Sequence, residues 1–131
     1  MPSPLRRLTT RRDGGGCKIS LASGGNPERI TLMFSHIVIF WTNANQPGAA
    51  NELITGANEY LKSIPGLLHF HVGKMSPSPR AVVDQSYQVA LNLVFSTKAD
   101  EQAYQVHPQH VEFVEKVFKR VCQKAVIYDF E

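Results

Sequence analysis

The amino-acid sequence predicts an α+β domain in which a four-stranded antiparallel sheet carries its helices on one face. Four short segments rich in β-branched and aromatic residues alternate with two helical regions, in the order β-α-β-β-α-β. The length of 131 residues is that of one domain. Strands separated by a helix run parallel through a right-handed crossover, so this order interleaves them into one antiparallel sheet.

The first strand is predicted over "FSHIVIFW", residues 34–41, which is too short and too β-branched for a helix. Both of its faces are apolar, which indicates a strand covered on both sides. One face carries Phe34, His36, Val38 and Phe40, and the other carries Ile37, Ile39 and Trp41.

A helix is predicted over residues 49–64, where Gly56 costs about 1 kcal/mol relative to alanine and must be held by packing. The "IPG" sequence that begins at Ile64 ends this helix. Two further strands follow over residues 67–75 and 86–95. The apolar stripe of the helix is formed by Leu53, Ile54, Ala57, Leu61 and Ile64. The apolar face of the second strand is formed by Leu68, Phe70 and Val72, and that of the third strand by Val89, Leu91, Leu93 and Phe95.

The second helical region is predicted as two helices separated by a proline. Thr97 with Asp100 is typical of a helix start, and Pro108 begins a new helix with His107 at its cap. A fourth strand is predicted over residues 123–131. The apolar stripe expected on the last helix is Val111, Val114, Phe118 and Val121.

These elements predict the ferredoxin-like arrangement, which leaves the second face of the sheet bare. Because that face is apolar, we expect a second subunit to cover it, so that two sheets of a homodimer form an α/β barrel. The expected interface residues are Ile37, Ile39, Trp41, Ala90 and Val94.

The basic residues are unevenly distributed along the chain. Residues 1–32 hold six Lys or Arg against two Asp or Glu, whereas residues 33–131 hold eight against nine. We predict a disordered leader over 1–32 and the domain over 33–131. We favour an upstream segment attached to a domain that starts at Met33; a basic arm and a targeting peptide are the alternatives.

Several function classes are excluded by what the sequence lacks. The domain has no basic surface for nucleic acid and no run long enough to cross a membrane. No nucleotide, phosphate or serine-hydrolase motif is present. Cys17 and Cys122 lie far apart, which favours a reducing compartment, and we expect a cytoplasmic protein.

The segment "YQVHPQH", residues 104–110, is the strongest candidate for chemistry. His110 falls in the first turn of a helix, where the positive end of the dipole disfavours imidazolium and keeps the ring available as a base. Tyr104 is placed to donate to a developing enolate oxygen. The alternative is that these side chains only stabilise a helix junction.

Other histidines have weaker claims. His36 lies on an apolar strand face, where a satisfied core residue is the alternative to a ligand-binding one. His69 and His71 share a strand face, but no third ligand stands at a diagnostic spacing, so we predict no metal and no cofactor.

Residues 33–131 resemble the stress-responsive dimeric α/β-barrel (Dabb) family. The resemblance is carried in order by "HIVIFW", "SIPGLLHFHVGK", "YQVALNLVF", "AYQVHPQHVEFV" and "VIYDF". It implies a dimeric barrel, often without an assigned reaction. Some plant members are cofactor-free cyclases that act on polyketides, and related barrels include haem-degrading monooxygenases.

The resemblance implies roles for individual residues. Tyr104 and His110 match the acid/base pair of the cyclase-type members, and His36 matches a pocket histidine; Val89 stands where such members can carry histidine. We therefore predict a stress-responsive homodimer that binds a small apolar, phenolic or polyketide-like ligand. A cofactor-free cyclase, isomerase or lyase is the alternative, and a monooxygenase a weaker one. The predicted ligand-binding residues are His36, Val38, Phe40, Leu91 and His107.

Overall fold

The computed structural model describes residues 32–131, so the predicted leader lies outside the described residues except for Leu32. The element order and the fold class predicted from the sequence are confirmed. The strands are β1 (Phe34–Thr42), β2 (Leu67–Lys74), β3 (Val89–Phe95) and β4 (Cys122–Phe130); the helices are α1 (Ala49–Tyr60), α2 (Lys98–Val106), α3 (Pro108–Phe113) and α4 (Lys119–Val121), with a π-helical segment, Val114–Phe118, between the last two.

The four strands form one sheet in the order β2-β3-β1-β4, with every neighbouring pair antiparallel. Burial alternates strictly along β1, because one face packs against the helices and the other does not. His36 pairs with Leu93 of β3 and with Asp129 of β4, so these three side chains share the helix-facing side of the sheet. This register determines which groups meet in the candidate site.

Helix α1 packs tightly on the π-helical segment through Gly56. A Cβ atom at this position would lie 2.8 Å from both methyl groups of Val117, which is itself buried. The glycine therefore permits a close approach of two helical segments. This contact provides the packing expected to offset the low helix propensity of Gly56. The predicted stripe is buried at Leu53 and Ala57 of α1 and at Leu61 and Ile64 beyond it, because the helix ends at Tyr60, four residues before the predicted end.

We expect Gly56→Ala to destabilise the protein by up to about 2 kcal/mol. The substitution gains about 1 kcal/mol of helix propensity, but overpacking against Val117 costs about 1–3 kcal/mol. Urea unfolding of both proteins measures the difference. Thr55→Ala, at the exposed neighbouring position, is the matched control and should change stability little. An alanine variant more stable than the wild type by about 1 kcal/mol, the full gain in helix propensity, would contradict the contact.

The last helical region differs from the predicted stripe. Phe113, Val117 and Val121 are buried, four residues apart, whereas Val111 is 48% exposed. The π-helical segment explains the change, because its wider turn shifts the buried face away from a 3.6-residue period. Val114 and Phe118 are half-buried and pack against the buried core.

The start of β2 also differs from the predicted alternation. The pairing with β3 shifts between Leu67 and His69, so Leu67 packs against the core while Leu68 is 60% exposed. An irregularity of this kind places one additional residue outside the alternation.

The face of the sheet turned away from the helices is apolar, as predicted. We call it the outer face. In the single chain Ile37 and Ile39 are half-buried, and Tyr128 and Phe130 on β4 are each 59% exposed. The apolar residues of the outer face are Ile37, Ile39 and Trp41 of β1, Ala90 and Val94 of β3, and Val126, Tyr128 and Phe130 of β4, with Ser35, Asn92 and Lys124 among them.

None of the helices within residues 32–131 has the length and apolar character that a membrane span requires.

Candidate functional site

A cavity of about 160 Å³ lies between the helix-facing side of the sheet and the helices that follow β3. Strands β1, β3 and β4 form its floor, and α2, α3 and the π-helical segment form its walls. Most of the residues predicted to act in chemistry or ligand binding lie on its surface: His36, Val38, Phe40, Leu91, Tyr104 and His110. The remaining surface comes from Gln105, Phe113, Val114, Phe118, Ala125 and Ile127.

The break at Pro108 brings Tyr104 and His110 together. Helix α2 ends at Val106, and α3 begins at Pro108 with a new direction. The two rings meet edge to face with their centroids 4.7 Å apart. Tyr104 is 2% exposed and also contacts the ring of Phe95, at 5.3 Å between centroids. The junction thus places two side chains at the same cavity.

The pKa of His110 is lowered from its ordinary value, chiefly because burial penalises the charged ring. A hydrogen bond to the backbone of Gln105 opposes this shift, and the charge of His36 adds to it. The direction matches the sequence-based expectation, but its largest cause is burial and not the helix dipole. A neutral imidazole that donates one N–H to a carbonyl keeps a lone pair on its other nitrogen.

The pKa of Tyr104 is raised well above its ordinary value by burial and by the negative charge of Glu101. Its hydroxyl group therefore stays protonated throughout the physiological range. A buried, protonated phenol donates a hydrogen bond to a group in which negative charge develops, and does not act as a base.

Behind the cavity, His36 contacts two carboxylates that were not predicted from the sequence. Its Nδ1 atom lies 2.6 Å from Oδ1 of Asp129 and 3.3 Å from Oε2 of Glu101. Gln105 donates from Nε2 to the same oxygen of Glu101 over 2.6 Å, and that nitrogen lies 3.5 Å from Nε2 of His36. His36 and Glu101 are both buried. We call His36, Glu101 and Asp129 the carboxylate cluster.

The carboxylate cluster sets one histidine against two carboxylates. Within residues 32–131 no lysine or arginine forms a salt bridge with Glu101 or Asp129. Among these described residues, His36 is therefore the basic group that pairs with both carboxylates.

The same cluster is the group of described residues that could hold a metal ion. One ligand atom from each of its three residues lies within 4.8 Å of the other two. An imidazole nitrogen and two carboxylate oxygens are ligands that Zn²⁺ or Mn²⁺ accepts. The short contact between His36 and Asp129 is, however, already a complete hydrogen bond. His69 and His71, the pair considered from sequence, are exposed on the far side of the sheet from the helices.

His107 is the predicted site residue that the structure places elsewhere. Its Nδ1 atom accepts a hydrogen bond of 3.1 Å from the backbone N–H of Gln109, so it caps α3, and it is not part of the cavity surface. The sequence also suggested this capping role. The side chain is engaged at the start of α3 through Nδ1 and does not contact the cavity.

Comparison with known proteins places these features in a wider group. The family model described as "Stress responsive A/B Barrel Domain" matches residues 34–131. A search of curated proteins gave no match. The matched region contains every strand and helix described above.

Solved structures share the fold over nearly their whole length. A Dabb family protein with a ferredoxin-like fold from Mesorhizobium loti is 24% identical, with a TM-score of 0.62, and the match covers 76% of this chain and 95% of that one. A dimeric ferredoxin-like protein of unknown function from Thermobifida fusca is 22% identical, with a TM-score of 0.62 and coverage of 76% and 90%. The hydroxynitrile lyase from Passiflora edulis is 20% identical, with a TM-score of 0.63 and coverage of 77% and 94%.

Proposed function

The chain belongs to the stress-responsive A/B barrel domain (Dabb) family, and from this premise we propose that it is a cofactor-free catalyst of proton transfer at a carbon next to a carbonyl group. The observation that supports this most directly is the contact between Tyr104 and His110 at the surface of one cavity. Had core side chains filled that space, the pair would have had no access to a substrate, and only a structural role would have remained.

In the proposed step, His110 is the general base. The substrate C–H bond breaks, the proton passes to the free nitrogen of His110, and the electron pair moves onto the carbonyl oxygen as an enolate. Tyr104 donates a hydrogen bond to that oxygen. His110 then returns the proton to carbon or passes it to a leaving group. The step needs no oxidant, reductant or cofactor, and covers isomerase, cyclase and lyase outcomes alike.

One relative of the same fold carries a name consistent with such chemistry. The Passiflora edulis protein is a hydroxynitrile lyase. At 20% identity this likeness extends to the fold alone, and the same fold can support different reactions. A monooxygenase that encloses haem finds less support, because four joined pyrrole rings exceed the space that about 160 Å³ offers.

We also infer that the protein acts as a homodimer joined through the outer face. Relatives from Thermobifida fusca and Bacteroides fragilis are described as dimeric. An apolar sheet face with two aromatic rings more than half exposed is the kind of surface that a second copy covers. The cavity lies on the opposite side of the sheet, so each subunit would keep its own site.

The experiment that tests the reaction follows the exchange of α-protons of phenylacetone for deuterium by NMR in D₂O. We expect the protein to accelerate the exchange above the buffer rate. Because burial lowers the pKa of His110 below 6.5, the neutral base persists as the pH falls. The rate should therefore stay level through pH 6.5 and fall only in more acidic solution.

An alkaline loss of activity would require ionised Tyr104, whose pKa is raised above 10.0. We therefore expect no decline up to the ordinary tyrosine range. A rate equal to that of buffer at every pH would contradict the proposal and leave ligand binding without chemistry as the remaining function. A decline already centred above pH 6.5 would exclude His110 as the base.

A further inference from the structure

We infer that the ligand of this cavity is an uncharged carbonyl compound with a single ring, and that anionic substrates are excluded. The inference rests on the proposed function for the reacting carbonyl group, but its size and charge limits come from the cavity itself. Two observations carry it: the volume between sheet and helices, and the distribution of charge around that volume.

The volume limits the ligand to about one ring. A cavity of about 150 Å³ in another protein accepts benzene, and the cavity here measures about 160 Å³. Its surface is mainly aliphatic and aromatic, with Val38, Phe40 and Leu91 on the floor and Phe113 and Phe118 on the walls. Ile127 is 52% exposed, so the cavity opens beside it and a short substituent can extend there. A second fused ring has no comparable space.

The charge distribution excludes anions. Of the described residues on the cavity surface, none is a lysine or arginine, so a carboxylate or phosphate would lose its hydration without gaining a cationic partner. The carboxylate cluster offers no compensation, because His36, its group nearest the cavity, is already paired with Glu101 and Asp129. The burial of an anion without a free cationic partner weakens its binding by about tenfold or more.

The polar groups that remain are suited to one neutral oxygen. Tyr104 is a protonated donor, His110 is an uncharged base, and Gln105 already donates to Glu101. If the substrate is a thioester of a highly charged carrier, only the acyl group could enter, and the carrier would stay outside the opening. The cavity therefore selects a small, neutral carbonyl compound over its carboxylic acid counterpart.

The test compares four ligands of defined size and charge by calorimetry at pH 7.5. They are phenylacetone, its anionic counterpart phenylacetate, the cation phenethylamine and the larger 2-naphthylacetone. We expect phenylacetone to bind, with phenylacetate and naphthylacetone each at least about tenfold weaker. Equal or tighter binding of phenylacetate or phenethylamine would overturn the charge limit, and equal binding of naphthylacetone would overturn the size limit.

Variants identify the source of the discrimination. Glu101→Gln and Asp129→Asn remove one charge each with little change of shape, and each should improve phenylacetate binding relative to phenylacetone. Glu112→Gln, an exposed carboxylate paired with Lys116, is the matched control and should leave the ratio unchanged. If neither cluster variant alters the ratio while both remain folded by circular dichroism, the cluster does not act on the ligand and the inference fails.

Failure of this inference can be told apart from failure of the proposed function. Phenylacetone that binds to the wild type without α-proton exchange leaves the ligand class standing and removes the reaction. Exchange that is faster for the anion acetoacetate than for phenylacetone, each relative to its buffer rate, keeps the reaction and removes the ligand class.

Discussion

His110→Gln should abolish most α-proton exchange while leaving the protein folded. A positioned general base contributes about 10²–10⁴-fold to a rate, so we expect the exchange of phenylacetone to fall by that factor. Glutamine retains an N–H group that can donate to the backbone of Gln105, as the histidine does. NMR exchange rates and thermal unfolding, measured on the same preparation, separate the effect on chemistry from an effect on folding.

His107→Asn is the matched control for this experiment. His107 belongs to the same short motif but caps α3 through its ring nitrogen, and asparagine is itself a strong helix cap. We expect near wild-type exchange from it. If His110→Gln keeps its activity, or loses stability and activity together, the histidine has a structural role and the base must be sought elsewhere.

Ile39→Asp should convert a dimer into monomers. Ile39 lies within the outer face, between Ala90 on β3 and Val126 on β4. An unpaired carboxylate buried at an interface costs about 3–5 kcal/mol, and a twofold axis makes that cost count twice. The dissociation constant should rise by about 10⁴-fold or more. Sedimentation equilibrium at micromolar protein measures the change.

Thr55→Asp adds the same charge on the exposed side of α1 and should remain dimeric. Val126→Asp provides a second substitution on the outer face, should Ile39→Asp fail to fold. A monomeric wild type, or a dimer that survives both outer-face substitutions, would show that this surface is not the interface.

The sequence was sufficient to predict the sheet, the helix order and the residues that contact the cavity from β1. Alternation in a short strand determines which side chains share a face, so Val38 and Phe40 followed directly from the placement of His36. The Tyr104–His110 contact was also accessible, because Pro108 forces a junction between them. The chemical roles of Tyr104 and His110 remain a prediction.

The carboxylate cluster could not be predicted in the same way. Asp129 reaches His36 through the register of β4 on β1, and a shift of one residue would turn it to the outer face. Register depends on the packed structure as a whole. Glu101 did leave a signal, because it stands three residues before Tyr104 on one helix and so shares its face.

The π-helical segment was not visible in the pattern of apolar residues. Val111, Val114, Phe118 and Val121 fit a regular helix well, whereas the buried set is Phe113, Val117 and Val121. Both sets are apolar and overlap, so periodicity alone cannot choose between them. The close contact between Gly56 and Val117 distinguishes the two sets, because it requires Val117 to face α1.

The sheet order has a consequence for how the protein folds. Neither hydrogen-bonded neighbour of β1 is adjacent to it in sequence, and His36 and Asp129 are 93 residues apart. The chain must close large loops before either pairing stabilises it, which slows folding. Partly folded chains would then expose the unpaired edges and apolar side chains of β1. Such a species is prone to aggregate on heating. Rapid capture by a second copy would shorten the lifetime of that species.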